Sequence, residues 1–221
     1  MVKCETGIAV KWIVSGIHLS DYLSPKNQQC LKMKNVAIVY FSAYGHTRKI
    51  AEHIKIGIDE IPDVYATLIS VDEIQEINVL NDYEAIVFGA PAYMGSVPYQ
   101  FKRFMDDASK IWLTKAWKNK LAAGFSNSGA LSGDKFNVLM QLCTFACQQG
   151  MLWLSLGVDN TSGEGGEQSS GHIEALNRLG GSLGLMTQSE NDVPEKTPPI
   201  GDKRTAELFG RRIAAFVLKL A

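Results

Sequence analysis

Six consecutive residues, Ser42-Ala43-Tyr44-Gly45-His46-Thr47, combine the groups that bind an anion without a strong base. They supply hydroxyls, a glycine that lets the main chain approach closely, and the free amides of a helix start. The helix is expected because Ile50, Ala51, Ile54 and Ile58 follow at helical spacing. Backbone N–H groups at a helix N-terminus, aided by its dipole, hold a doubly charged phosphate with no lysine or arginine. The loop lacks the Gly-Lys-Ser/Thr ending of an ATPase phosphate loop, which excludes that class. Taken alone, the same residues would also make an ordinary capped turn.

Two further loops suit a flat ring. Ala90-Pro91-Ala92-Tyr93-Met94-Gly95-Ser96 offers backbone and apolar surface, and Ser126-Asn127-Ser128-Gly129-Ala130-Leu131-Ser132-Gly133 offers small hydrogen-bonding residues. In isolation either would be a plain surface turn. Together the three make one cradle for phosphate and two for a planar heterocycle, the needs of a mononucleotide flavin. In open parallel sheets such ligands lie beyond the C-terminal strand ends, where the chain changes its direction of winding. No side-chain nucleophile is evident. Cys143 and Cys147 stand four apart on an expected helix with no histidine or acidic cluster nearby, so they are expected to be buried structural thiols, and no metal site is expected. His53 and His172 are isolated, and Asp59, Glu60, Asp72, Glu73 and Glu76 make scattered acidic surface.

For three loops to converge, strands and helices must alternate between them. Val36-Ala37-Ile38-Val39-Tyr40-Phe41 suits a strand covered on both faces. Further strands are expected at 64–70, 85–90, 121–126 and 151–156, and helices from Thr47 to near Pro62 and at 99–112, 134–149 and 203–220. That alternation implies an α/β fold, a five-stranded parallel sheet with helices on both faces. Residues 157–203, rich in Gly, Ser, Glu and Pro, form a loop insertion longer than compact domains ordinarily use, either functional or partly disordered. Its Gly163-Glu164-Gly165-Gly166 cluster fails the dinucleotide fingerprint, because Gln168 takes the third glycine position. Residues 1–32 mix helix-like and strand-like signals, so the domain is expected over 33–221. The preceding segment is expected to be a loosely ordered extension, an artefact of start-codon choice or an added edge element.

With 221 residues and 46% hydrophobic content the chain can bury one substantial core. A net charge of -1 leaves no excess of basic side chains for a nucleic-acid backbone, so nucleic acid is excluded as a partner. The apolar stretch Gly7 to Leu19 is interrupted by Lys11, is too short to span a bilayer and lacks a small-x-small cleavage site. Cys4, Cys30, Cys143 and Cys147 are too few for a disulfide framework, and a cytoplasmic protein with reduced thiols is expected.

At these loops the sequence resembles the flavodoxin-like NAD(P)H:quinone oxidoreductases of the WrbA-like branch. The resemblance rests on Ser42-x-Tyr44-Gly45-His46, Gly89-x-Pro91 with Gly95, and Phe125-Ser126 leading to Ser128-Gly129. Gly150 before the fifth strand and Gly180-Gly181-x-x-Gly184 add to it, and it runs from Met33 to the C-terminus. It implies a flavodoxin-like three-layer sandwich with strand order 2-1-3-4-5 and FMN as cofactor. Ser42, Ala43, Tyr44, Gly45, His46 and Thr47 would then hold the phosphate. Pro91, Ala92, Tyr93, Met94 and Gly95, with Ser126, Asn127, Ser128, Gly129 and Gly133, would surround the isoalloxazine. NADH or NADPH would donate electrons and a quinone or similar molecule would accept them, in a homodimer or homotetramer. Loop amides would stabilise negative charge developing on the reduced ring.

Three substrate-pocket residues also follow from the resemblance. Tyr44 is similar to a residue that meets the nicotinamide. Trp112 resembles a tryptophan at the end of the helix after the third strand, although it could equally cap that helix's apolar face. Gln148 stands where the family has a histidine beside the flavin, and glutamine cannot titrate near neutral pH. The family also has an arginine and an aromatic residue where this chain has Tyr93 and Met94. Two other readings stay open. A flavodoxin-type electron carrier would usually need a strongly acidic surface, and a flavin-free interaction protein is favoured by Tyr93, Met94 and Gln148.

Overall fold

The computed structural model describes residues 33–160 and 171–220. The expected N-terminal extension, Cys4, Cys30 and the Gly163–Gly166 cluster lie outside them. Strand β1 (Lys34–Tyr40) is buried from Val36 onward, which explains its unbroken apolar run. It leads into α1 (His46–Asp59), whose Ile50, Ala51, Ile54 and Ile58 face the core. Strands β2 (Val64–Ser70), β3 (Ala85–Pro91) and β4 (Leu121–Ser128) join β1 in a parallel sheet of order β2-β1-β3-β4. Register is set by apolar pairs such as Ile38 with Leu68 and Val87.

Side chains that alternate along the strands feed two cores. Val36, Ile38, Val87 and Phe125 pack on one face against α1 and α5 (Ile200–Leu220). Val39, Phe88 and Ala122 pack on the other against α2 (Tyr99–Asp107) and α4 (Lys135–Gln148). Trp117 is completely buried in the second core, ringed by Phe88, Phe104 and Phe145, and its indole N–H donates to Asn81 Oδ1 at 3.0 Å. This is the three-layer arrangement and strand order implied by the resemblance. Among the described residues no helix is long and apolar enough to cross a membrane.

Four expectations about elements need correction. The helix expected at 99–112 divides into α2 and α3 (Ser109–Thr114) at Ala108, whose carbonyl accepts a bond from Gln149 Nε2 at 3.0 Å. The strand expected at 151–156 shrinks to β5 (Leu152–Trp153), paired with Leu121 and Ala122 of β4. The rest of that edge is filled by β6 (Leu185–Gln188), paired with Phe125 to Ser128, so the long insertion contains a strand. Once the chain departs after Trp153, the exposed amides and carbonyls of β4 still need partners, and β6 supplies them. Four residues are too few to show a period, which is why no strand signal is visible there. The last helix begins at Ile200 rather than Lys203, directly after Pro198-Pro199, because proline's fixed φ suits a helix entry.

Candidate functional site

The C-terminal ends of β1, β3 and β4 deliver the three loops to one cavity of about 680 Å³. Its walls are Ser42, Ala43, Tyr44, His46 and Thr47 from the first loop, Pro91, Ala92 and Tyr93 from the second, and Asn127, Ser128 and Gly129 from the third. Convergence follows from topology, since the chain after β1 goes to β2 on one side and then returns to β3 on the other. A fourth wall, Ser189 to Pro194, comes from the segment after β6. It was not anticipated in the sequence, where it lay within the insertion.

Gly45 precedes α1 with φ 88°, and a Cβ there would lie 2.8 Å from Pro194 Cγ. Both the conformation and the contact demand glycine. Ser42 Oγ accepts from the Arg48 amide at 3.2 Å and the Gly45 carbonyl accepts from Lys49 N–H at 2.8 Å. The amides of Tyr44, Gly45, His46 and Thr47 donate to no acceptor among the described residues. These are the orphan donors of a helix start, and they fit a phosphate without help. The neighbouring cations are engaged elsewhere, with Arg48 and Lys49 pairing with Glu52 at 3.1 and 2.7 Å. The His46 ring turns to the fourth wall, where Nε2 meets the Asp192 carbonyl at 2.7 Å.

In the second loop Tyr93 and Ser96 exchange N–H···O bonds of 2.9 and 3.0 Å, closing a two-residue turn with Met94 and Gly95 at φ 48° and 78°. Glycine is the ordinary occupant of such conformations, and Met94 stores strain on the order of 1 kcal/mol. Asn137 Nδ2 donates to the Gly95 carbonyl and Ser96 Oγ to Gln141 Oε1, so α4 anchors the turn. Tyr93 stands edge-on to Phe41, with centroids 6.5 Å apart. Burial, reinforced by the Tyr44 phenol nearby, pushes the Tyr93 hydroxyl above its ordinary pKa.

The third loop is tied at every residue from Asn127 to Leu131. Asn127 Oδ1 accepts from Thr187 Oγ1 at 2.8 Å and Ser189 Oγ at 3.0 Å, and the Gly129 carbonyl accepts from Gln188 Nε2 at 2.9 Å. Lys135, fully buried at the start of α4, donates from Nζ to Ser128 Oγ, the Ala130 carbonyl and the Leu131 carbonyl. Burial pulls that ammonium down to about 8. Behind it Arg178 Nε donates to Asp202 Oδ1 at 2.7 Å, with each side chain only 2% exposed. Asp202 Oδ2 also accepts from the Gln188 amide, and Arg178 Nη2 donates to Gln188 Oε1. Burial raises the Asp202 carboxyl above its usual range, against the pull of Arg178 and the Gln188 N–H.

Several expected residues fall elsewhere. Met94 and Gly95 form the turn beside the cavity, and Ser126 is buried with its hydroxyl unpartnered, outside the cavity lining. Gly133 is a turn residue at φ 52°, where a Cβ would lie 2.0 Å from Ser128 Oγ. Trp112 is half-exposed on α3 beneath the Lys115 ammonium, 3.9 Å from the ring centroid. Gln148 lines a separate cavity of about 430 Å³ with Lys102, Met105 and Asp106. A helix that follows a parallel strand runs back toward the strands' N-terminal ends, so the C-terminal ends of α3 and α4 lie away from the cavity within one chain. Lys135 was missed although a signal existed: it keeps the helical spacing of the buried Val138, Leu139 and Leu142.

A family model described as a flavodoxin domain matches residues 37–144. Flavodoxin FldP of Pseudomonas aeruginosa is 36% identical over 187 residues, covering 82% of this chain and 96% of that protein. An NAD(P)H dehydrogenase (quinone) of Geobacter sulfurreducens is 26% identical over 217 residues, covering 84% and 98%. The crystal structure of a flavodoxin, WrbA-like protein from Agrobacterium tumefaciens superposes with a TM-score of 0.64 at 33% identity, covering 85% of this chain and 99% of that one.

Proposed function

This chain belongs to the flavodoxin-like family, and on that premise we propose that it is an FMN-dependent oxidoreductase that carries two electrons from NADH or NADPH to a quinone or similar acceptor. The observation that carries the reading is that the amides from Tyr44 to Thr47 donate to no acceptor among the described residues, at the mouth of a cavity that two further loops enclose. The reading assigns residues 33–221 to the flavin-binding unit and a cytoplasmic location to the protein.

Bound FMN would supply the capacity to take up an electron pair from a nicotinamide and release it to an acceptor. The chain's own share is binding, orientation and electrostatics. The first-loop amides neutralise the phosphate through aligned dipoles, so no lysine need be desolvated there. Tyr44 and Tyr93 offer aromatic surface from two loops, and each carries a phenolic hydroxyl able to donate. Asn127, Ser128 and Gly129 present main chain held rigid by Lys135 and Gln188.

Within one chain Trp112 and Gln148 stand away from this cavity, so any part they play at a substrate pocket requires another copy. A homodimer or homotetramer is therefore part of the proposal. Similarity to a protein named flavodoxin favours a second reading, an electron carrier. The net charge of -1 counts against it, since carriers use acidic surfaces to meet basic partners. Absorption spectra of the purified chain with added FMN test the cofactor. NADPH oxidation by a quinone without a separate reductase then distinguishes enzyme from carrier.

A further inference from the structure

Behind the third loop sits more positive charge than its neighbours balance. Lys135 and Arg178 are both buried, and among the described residues one buried carboxylate, Asp202, faces them. Asp134 is exposed, so water screens it. Among the described residues one positive charge is thus left uncompensated in the interior, where desolvation opposes it and hydrophobic packing would serve stability as well. Its position is specific. Lys135 Nζ is 2.7 Å from the hydroxyl of Ser128, which lines the cavity, so a single side chain stands between this charge and the ligand space. The carboxylates that line the same cavity, Glu190 and Asp192, are exposed. Charges in a low-dielectric interior act further and more strongly than screened surface charges.

We propose that Lys135 is a positioning residue for the bound flavin that also biases its redox state. It fixes residues 128–131, of which Ser128 and Gly129 line the cavity, and its buried charge favours the negative charge that accumulates on the ring when two electrons arrive. The proposal rests on the FMN reading above and deepens it by assigning a cause to the cofactor's potential. Arg178 and Asp202 tune the same field, since together they are neutral and removal of the Asp202 charge alone makes the cluster more positive.

The test uses the full chain loaded with FMN, comparing wild type, Lys135→Met and Asp202→Asn. The dissociation constant for oxidised FMN and the two-electron midpoint potential are both measured. Lys135→Met is expected to weaken retention of reduced FMN about tenfold more than that of oxidised FMN, a drop of about 30 mV in potential. Asp202→Asn is expected to move the potential the opposite way. Equal weakening of both redox states in Lys135→Met, with the potential unmoved, overturns the electrostatic role and leaves a structural clamp. Should Lys135→Met fail to fold, Asp202→Asn decides: an upward shift supports the proposal and an unchanged potential overturns it. A wild-type chain that takes up no FMN overturns the cofactor reading and this proposal together, whereas wild-type binding with unmoved variant potentials overturns this proposal alone.

Discussion

Gly45 and Pro194 approach so closely that a Cβ added to Gly45 would lie 2.8 Å from Pro194 Cγ, which joins the first loop directly to the fourth wall of the cavity. The contact couples the turn before α1 to the late part of the insertion, far away in sequence. Replacing Gly45 with alanine adds a positive-φ penalty of roughly 1 kcal/mol and forces Pro194 to move. FMN affinity is expected to fall at least about tenfold, read by flavin fluorescence titration, with far-UV circular dichroism unchanged. Undiminished affinity would remove the first loop from the binding site.

A second prediction concerns the contact between α1 and α5. A Cβ on Gly210 would lie 2.2 Å from the Ile54 carbonyl oxygen, and backbone cannot yield as a flexible side chain would. Gly210→Ala should therefore cost about 1–3 kcal/mol, the usual range for overpacking. A lower urea midpoint with an unchanged m-value is the expected signature.

Trp117 is the keystone of the second core, completely buried and bonded through its indole N–H to Asn81. Its truncation to alanine should destabilise by about 3–5 kcal/mol through lost burial and the cavity left behind. Trp117→Phe should cost less, since an aromatic ring stays in the cluster while part of the indole's volume and its bond to Asn81 go. Chemical denaturation of both variants checks the order.

Stability should also respond to alkaline pH through Lys135. Its folded pKa is pulled down to about 8, below the ordinary 10.5. Between those values the unfolded chain binds more protons than the folded one, so stability contributed by this site rises with pH and is lost as pH falls through about 8. Relative to Lys135→Met, the wild-type apoprotein should gain about 2 kcal/mol between pH 8 and 9.5 in urea titrations, from the free-energy value of a pKa unit. A constant difference across that range would contradict a buried, titrating ammonium.

What the sequence made legible was whatever local chemistry determines. Strands buried on both faces announce themselves as apolar runs, as Val36 to Phe41 does, and loops at their C-terminal ends can then be placed by topology. The wall residues of all three loops were named on that basis. The fifth strand was not legible as built, because its edge is assembled from Leu152–Trp153 and Leu185–Gln188, each too short to carry a period. Lys135 has the look of a surface lysine at a helix start; its spacing with Val138, Leu139 and Leu142 is the one hint that it is interior, and the loop from Ser128 to Leu131 takes up its ammonium. Trp112 and Gln148 illustrate the converse: residues associated with a pocket by resemblance stand on helix ends that one chain directs away from it.

Dividing the outermost strand has an outcome for assembly of the protein. Ser189 to Pro194 continue straight out of β6, so this side of the binding chamber exists only where residues 185–188 have already zipped onto β4. Four rungs of β-ladder thus carry one whole side of the cavity, and loosening them is expected to open it at less cost than unfolding the body.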